Sequence, residues 1–564
     1  MTCGVDAVVL DIDGLLRRTA QRDEGWRSQH VRQIFELLGS DVRPGDFSTL
    51  LSHRAKAYKH WSEETLVELN EVDFWTQWML PEWPADKVRS LALQVDQIWR
   101  DANGASAIPP ETKEVVLELF RRGYRLGLVS NTTSSLEIPR ALGALRISGC
   151  LETVVLSCEF GRRKPDPAVL QAATQRMGIP PERCAYFGVC PDRTVASAKR
   201  SGFATTVMLC DPREAAMRPV DPSYVPEHVV DNLKDLLEIF PPHGEEGAMR
   251  PEGELPLYDV AFSTMWANGK FPSLGDFFLA APRLGFSTIE LNHQVTAAML
   301  AGVELTSTRF CSVHEPCPAE FSSEFQNTHD WLISAQEEEN RRKGVESIKP
   351  SINLAHDVQA QAVVVHAGNV PSDPALEDSL RAIYRNGQSG SREYREVLDR
   401  LVKSRAGAAG PCLEAVKKSL VELLEYAARF DVRLGLENRY HYVDIPGLDE
   451  MGVLLSLAGP DQLGFIYDVG HAQTLDRLGF YPHEDWLKRY ASRMIGAHLH
   501  DVIGISDHHA PGLGEVDFDM VATYLPAGAF RTLEVDPDNT TDQVKAGLRF
   551  LVEHGCLHRV PVTS

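Results

Sequence analysis

After residue 255, short apolar runs rich in β-branched residues alternate with helical stretches, and this alternation occurs eight times. The strands are predicted in LYDVAFS, FSTIELN, RFCSVHE, AVVVHAG, RLGLENR, LGFIYDVG, MIGAHLHD and FRTLEVD. Eight βα units within about 300 residues are typical of a closed barrel of parallel strands surrounded by helices. The longest interruption, residues 369–430, is predicted to form a helical excursion over the barrel mouth.

The first part of the chain shows a shorter alternation of the same kind. Runs such as VDAVVLDI, YRLGLVSN and CAYFGV alternate with helical stretches, which predicts a parallel sheet covered by helices. Residues 16–100 interrupt it with a tryptophan-bearing helical pattern, predicted to be a cap. Residues 239–255 mix proline, glycine and charge, as a linker does. We therefore predict an α/β protein with domains at 1–238 and 256–564.

The overall composition limits the classes of partner. At 564 residues the chain is long enough for at least two buried cores. Its net charge of −22 disfavours nucleic acid and anionic membrane surfaces. Ten cysteines form no CxxC pair, and no apolar run reaches the length of a membrane span. We predict a cytoplasmic protein that acts on small molecules; the sequence does not indicate its oligomeric state.

Polar residues follow three of the predicted strands in the first half. Asp11 and Asp13 end the strand in VVLDIDGLL, where two carboxylates can bind Mg²⁺. Ser130 and Asn131 end the strand in YRLGLVSN, and Lys164 lies between prolines in GRRKPDP. In a parallel sheet these strand ends meet at one edge and form a crevice.

Together these motifs resemble the haloacid dehalogenase superfamily over roughly residues 5–235. The resemblance implies a Rossmann-like fold in which Asp11 attacks a phosphoryl group and Asp13 is the acid/base. It implies that Mg²⁺ assists and that the phosphate-binding residues are Ser130, Asn131 and Lys164.

The fourth motif of that superfamily departs from the pattern. One or two aspartates are expected after the strand in CAYFGV, but Val189 and Cys190 occupy these positions and Asp192 is out of register. Loss of one carboxylate weakens a Mg²⁺ site. The sequence therefore leaves open a weak phosphatase and a structural or ligand-sensing module.

Metal-ligand side chains recur at the predicted strand ends of the second half. Barrel enzymes gather their catalytic groups at this end of the barrel. Six of the eight predicted strands contribute such a group, which indicates one shared site. The residues are His314, His366, Glu437, Asp468, His471, His498 and Glu534, and the loop DHHAPGLGEVDF adds Asp507 and His509.

The motifs LENR, DVGHA, HLHD and DHHAPGLGEVDF resemble the xylose isomerase-like TIM barrels, over about residues 256–558. This group contains sugar phosphate isomerases and epimerases and the endonuclease IV-type enzymes. The resemblance implies a four-ligand metal centre of Glu437, Asp468, His498 and Glu534. It implies further ligands, as in the endonuclease branch, at His314, His366, His471, Asp507 and His509. One to three ions of Zn, Mn, Fe or Co are expected, since imidazole suits these metals.

Three functions remain open for the barrel. An isomerase, epimerase or lyase of a small sugar, polyol or sugar phosphate would use Glu437 or Glu534 to remove a proton beside a carbonyl. A phosphodiesterase or AP endonuclease-like hydrolase would use two or three metals, but acids outnumber bases 79 to 57, which opposes DNA binding. A non-catalytic scaffold that binds a metabolite is the third. The first is our preferred hypothesis.

Overall fold

The computed structural model describes residues 4–12, 18–19, 24–39, 44–103, 106–107, 109, 111–210, 224–243 and 255–561. The chain divides into two compact units, Met1–Glu254 and Leu255–Ser564. Asp13 and most of the predicted linker lie outside the described residues. Within the described residues, no helix has both the length and the apolar character needed to cross a membrane.

The first unit is built on a parallel sheet of six strands in the order β5-β4-β1-β6-β7-β8. Its strands, with a separate β2–β3 pair, are β1 (Ala7–Asp11), β2 (Arg18–Thr19), β3 (Ser106–Ala107), β4 (Arg125–Ser130), β5 (Thr153–Leu156), β6 (Cys184–Gly188), β7 (Thr205–Leu209) and β8 (His228–Val230). The chain runs outward from β1 in both directions, so a crevice forms beyond its carboxyl end. Asp11 ends β1 and Ser130 ends the adjacent β4, which brings both residues to this crevice.

Helices cover this sheet and build the segment between β2 and β3. The helices are α1 (Glu24–Leu38), α2 (Pro44–Thr65), α3 (Glu71–Asp73), α4 (Ala85–Ala102), α5 (Thr112–Arg121), α6 (Glu137–Leu145), α7 (Ser157–Phe160), α8 (Pro167–Met177), α9 (Ser197–Arg200) and α10 (Leu236–Ile239). Between β2 and β3, α1 to α4 enclose their own apolar core around Phe47 and Trp75. The described start of the predicted linker still packs on this unit, because Phe240 is buried against Tyr124.

The second unit is a closed barrel of eight parallel strands, which confirms the predicted α/β fold class with a C-terminal TIM barrel. The barrel closes in the order β10-β11-β12-β13-β14-β15-β18-β9. Its strands are β9 (Tyr258–Ser263), β10 (Phe286–Leu291), β11 (Phe310–His314), β12 (Ala362–Val365), β13 (Arg433–Glu437), β14 (Leu463–Asp468), β15 (Met494–Leu499) and β18 (Phe530–Leu533). A hairpin of β16 (Asp501–Ile503) and β17 (Ser506–His509) follows β15.

The barrel helices include two that fill the long interruption after β12. They are α11 (Leu274–Leu284), α12 (Ala297–Leu300), α13 (Ser323–Thr328), α14 (Glu338–Asp357), α15 (Pro374–Arg385), α16 (Arg392–Ala427), α17 (Leu448–Leu455), α18 (Val469–Arg477), α19 (His483–Tyr490), α20 (Phe518–Tyr524) and α21 (Thr541–Glu553). The interruption over 369–430 consists of α15 and the 36-residue α16.

Large side chains packed against glycines fill the barrel interior. Ile466, Ile495 and Phe530 belong to one buried cluster inside the barrel. A Cβ atom on Gly464 would lie 2.4 Å from Ile495 Cγ2, and one on Gly496 would lie 2.3 Å from Phe530 Cζ. Glycine at these positions makes room for the bulky side chains, and the interior is a packed core beneath the strand ends.

Candidate metal centre

Four side chains meet at the carboxyl ends of the barrel strands. Glu437 ends β13, Asp468 ends β14, His498 lies near the end of β15, and Glu534 follows β18. All four are buried, and one ligand atom from each lies within 4.8 Å of those of the others. Parallel strands of one barrel end on the same face, which is why residues spread over almost a hundred positions converge.

The spacing of these atoms fits a divalent ion. His498 Nδ1 lies 2.7 Å from Glu437 Oε1, 3.0 Å from Glu534 Oε2 and 3.6 Å from Asp468 Oδ2. Ligand bonds of about 2.0–2.2 Å place neighbouring ligand atoms roughly 3–3.5 Å apart. Among the described residues, neither His498 Nδ1 nor Glu437 Oε1 has a hydrogen-bond partner in a suitable direction. Buried polar atoms are costly when unpaired, so these atoms suit a shared cation.

A buried carboxylate that the sequence analysis missed orients His498. His498 Nε2 donates to Glu290 Oε2 over 3.1 Å, and Glu290 also accepts from Ser312 over 2.6 Å and from Thr532 over 3.3 Å. This bond keeps a proton on Nε2 and directs Nδ1 at the other ligands, so an ion that displaces the proton from Nδ1 would be bound as in carboxylate–histidine–metal arrangements. The one signal for Glu290 in the sequence is a glutamate between Ile289 and Leu291 near the end of the strand FSTIEL.

A second histidine supports the aspartate of the centre. His500 Nε2 lies 3.0 Å from both carboxylate oxygens of Asp468. Burial opposes the charge of Asp468, but the rings of His471 and His500 outweigh it and hold its pKa well below the usual value. Asp501, three residues after His498, accepts from the backbone N–H groups of Gly512 and Val516 and so shapes the following loop.

The ionisable groups of the centre shift one another's pKa values. Burial disfavours ionisation of Glu437, but the neighbouring His366 and His498 rings hold its pKa well below normal. Burial likewise disfavours a charged His498, yet Glu290 and Glu534 raise its pKa well above normal. The pKa of Glu534 is lowered because His498 and His508 outweigh its burial. The carboxylates are therefore ionised and gathered around a position that favours a cation.

A second group of ligand atoms shares Glu437. It consists of His314 at the end of β11, His366 just after β12, and Glu437. His366 Nε2 lies 2.9 Å from Glu437 Oε2, and a terminal nitrogen of Arg439 lies 2.7 Å from the same oxygen. Burial and the Arg439 charge hold the pKa of His366 well below its usual value. Arg439, which the sequence analysis did not single out, thus already neutralises the oxygen that this group would offer.

The third group differs from the predicted one. It joins His471 and Asp507 to His508, rather than to His509. His508 has a φ of 57°, which breaks the alternation that would place Asp507 and His509 on one face of β17. His509 Nε2 instead lies 3.1 Å from Ser506 Oγ. The pKa of His508 rises to about 9, because Asp507, Glu534 and Asp468 together outweigh the effect of its burial.

The first unit brings its described motif residues together around Asp11. Lys164 Nζ lies 2.7 Å from Asp11 Oδ1, and it also donates to the Tyr186 hydroxyl over 3.0 Å. Asn131 fixes the Lys164 backbone by two hydrogen bonds of 2.9 Å. The Ser130 hydroxyl is buried and has no hydrogen-bond partner among the described residues. The cleft thus combines a carboxylate, a fixed cation and a free hydroxyl.

The fourth-motif positions present no carboxylate to this cleft. Val189 and Cys190 are half-buried just after β6, and the Cys190 amide donates to Thr194 Oγ1 over 3.2 Å. A π-helix over Pro191–Ala196 follows. The side chain of Asp192 and the whole of Asp13 lie outside the described residues.

Comparisons with known proteins match both units. The sequence model of the xylose isomerase-like TIM barrel matches residues 280–554, and that of the haloacid dehalogenase-like hydrolases matches residues 5–202. The glyceraldehyde 3-phosphate phosphatase of Methanopyrus kandleri is 26% identical over 241 residues, 42% of this chain and 97% of that protein. The glyceraldehyde 3-phosphate phosphatase of Methanothermobacter thermautotrophicus is 28% identical over 131 residues, 23% of this chain and 58% of that protein. A solved D-tagatose 3-epimerase-like protein has 20% sequence identity and a TM-score of 0.37, covering 52% of this chain and 96% of its own.

Proposed function

We propose a function for each part of this chain, which carries a haloacid dehalogenase-like hydrolase domain and a xylose isomerase-like TIM barrel. The barrel is a metal-dependent isomerase or epimerase of a small sugar or polyol. The observation that carries the proposal is the convergence of Glu437, Asp468, His498 and Glu534 within 4.8 Å in a buried position. Imidazole and carboxylate together suit Zn, Mn, Fe or Co.

The two glutamates supply the acid–base chemistry. A divalent ion held by the four residues would polarise a substrate carbonyl and so acidify the neighbouring C–H bond. Glu437 and Glu534 come from strands β13 and β18, which are not neighbours, and both approach His498 Nδ1, at 2.7 Å and 3.0 Å. Their lowered pKa values keep both ionised and able to accept a proton. Removal by one glutamate and return by the other would invert the carbon centre.

A phosphodiesterase is the second candidate, and the two further ligand groups favour it. Its chemistry needs at least two ions. Arg439 argues against a second ion, because its guanidinium lies 2.7 Å from Glu437 Oε2. A fixed positive charge at that distance opposes a cation bound to the same oxygen. The pairing therefore supports a centre with one ion.

For the first unit we propose a weak phosphomonoesterase activity. The Asp11–Lys164 pair and the buried Ser130 hydroxyl provide a nucleophile and phosphate ligands. The two curated relatives named above are both phosphatases, which supports the same reaction class. Val189 and Cys190 leave the expected metal carboxylates missing, and this limits the rate.

Isotope labelling tests the barrel proposal. The full chain, reconstituted with Mn²⁺, Co²⁺ or Zn²⁺, is incubated with a panel of ketoses, aldoses and polyols in D₂O, and NMR reads deuterium at carbon. We expect metal-dependent exchange that Glu534→Gln abolishes and Glu339→Gln, an exposed control, retains. Metal content is measured for each variant, so that loss of the ion is separated from loss of the base.

The same preparation discriminates the alternatives. A phosphodiesterase would leave carbon unlabelled and transfer ¹⁸O from water to the phosphate of a cleaved diester or abasic duplex. A metabolite-binding barrel would give neither label. Either outcome would overturn the isomerase proposal.

A further inference from the structure

A cavity of about 380 Å³ lies among the segments that follow β11 and β12, and none of the ligands of the metal centre lines it. It is lined by residues that follow β11, including Asp330, Ser334 and Gln336, by Asn369 after β12, and by Cys412 of α16. Asn369 lies three residues beyond His366, so the cavity belongs to the same end of the barrel as the ligand groups. Nothing in the acid–base chemistry proposed above uses it.

The cavity wall is fixed by close contacts between two loops. Ser334 Oγ accepts a hydrogen bond from the backbone N–H of Asn369 over 3.0 Å. Gly368 has a φ of 87°, and a Cβ atom there would lie 2.3 Å from Ser334 Oγ, so glycine is needed for the loops to meet. The Val370 amide donates to the Val443 carbonyl over 2.8 Å, which ties this wall to the loop that follows β13. The cavity is therefore preformed.

The chemistry of the lining selects an uncharged polar ligand. Two carboxylates (Asp330, Glu337), two amides (Gln336, Asn369) and the Ser334 hydroxyl line the cavity, and the described lining includes no lysine, arginine or histidine. Carboxylates repel a phosphate or carboxylate ligand, whereas carboxylates and amides bind the donors and acceptors of neighbouring hydroxyl groups. The volume is at the lower end of ligand cavities, of about 300–1,000 Å³, and suits one sugar-sized group.

We propose that this cavity binds an uncharged polyhydroxylated group of a substrate whose reacting carbon lies at the Glu437 centre. The inference rests on the proposed sugar or polyol chemistry of the barrel and narrows it. The substrate class is then a neutral glycoside or disaccharide, with one unit at the metal centre and the other in the cavity. Phosphorylated sugars of similar size are disfavoured.

Direct binding to the full chain tests the cavity. Calorimetry is performed with maltose, cellobiose, trehalose and glucose 6-phosphate. Gln336→Trp fills the cavity from an exposed position, and Gln462→Trp, exposed before β14 at the opposite end of the barrel, is the matched control. We expect at least one disaccharide to bind at least tenfold more tightly than glucose 6-phosphate, and Gln336→Trp alone to weaken it at least tenfold.

A second variant addresses the charge argument without filling space. The double variant Asp330→Asn, Glu337→Gln is expected to weaken disaccharide binding. It should also reduce the ratio of the affinity for a disaccharide to the affinity for glucose 6-phosphate. Binding unchanged in both cavity variants, tighter binding of glucose 6-phosphate, or no binding of any disaccharide would overturn the inference. Deuterium exchange into monosaccharides is measured in parallel. If disaccharide binding fails but deuterium exchange into monosaccharides is observed, the cavity inference alone has failed. If that exchange is also absent, the proposed chemistry of the barrel has failed.

Discussion

Glu290→Gln is expected to weaken metal binding although Glu290 touches no ion. The carboxylate is fully buried and accepts the proton of His498 Nε2 over 3.1 Å. Ser312, Thr532 and His498 all bond the same oxygen, Oε2, so a glutamine of nearly the same size would keep its amide oxygen there but would carry no negative charge to strengthen His498 as a ligand. His498 Nδ1 would then bind an ion shared with Glu437, Asp468 and Glu534 more weakly.

The magnitude follows from the role of such partners in metal sites. Loss of a carboxylate behind a histidine ligand typically lowers metal affinity by about 10–100-fold, which corresponds to roughly 1.4–2.7 kcal/mol. Ser312 and Thr532 remain as donors to position 290, so the side chain stays anchored and the fold is expected to survive.

Competition with a chromophoric chelator measures the affinity for Co²⁺ and Zn²⁺, and circular dichroism checks the fold. Glu304→Gln replaces an exposed glutamate of the same unit and serves as control. Affinity within threefold of the parent in a folded Glu290→Gln protein would refute the assignment of Glu290 as a positioning residue.

Three further outcomes are expected. Asp11→Asn abolishes hydrolysis of p-nitrophenyl phosphate, which is slow in the parent; fast hydrolysis that survives this change would contradict the proposed nucleophile. Arg439→Met removes the charge 2.7 Å from Glu437 and raises the bound metal from one toward two ions per chain by elemental analysis, whereas an unchanged ratio would show that Arg439 does not limit occupancy. Gly464→Ala places a Cβ atom 2.4 Å from Ile495 and is expected to lower the free energy of unfolding, measured in urea, by about 1–3 kcal/mol. The control Gly459→Ala, in open space, is expected to change it by less than about 0.5 kcal/mol, and equal changes in the two variants would contradict the packing argument.

The sequence alone predicted the barrel and the convergence of its strand-end residues, because the carboxyl ends of parallel strands lie on the same face of a barrel. The prediction that Glu437, Asp468 and His498 lie close together required no knowledge of loop conformations or side-chain rotamers. Glu290 and Arg439 were missed for a different reason. A glutamate in a strand and an arginine after one are common in structural roles, and their meaning depends on which atoms they meet across the barrel.

The hairpin after β15 shows a second limit of prediction from sequence. The resemblance to the endonuclease branch implied His509 beside Asp507, whereas the structure groups Asp507 with His508, whose φ is 57°. No spacing rule in DHHAPGLGEVDF reveals this conformation. Likewise, the cavity near Asn369 depends on where α16 passes, which is a property of tertiary packing.

The packed barrel interior has a kinetic consequence. Ile466, Ile495 and Phe530 fill the space below the ligand atoms, so an ion at Glu437 would arrive and depart through the mouth that a substrate also enters. Binding would then be ordered, with the ion binding before the substrate and dissociating after it. A bound sugar would stand in the exit path, and stripping of the ion by a chelator would slow as the sugar concentration rises.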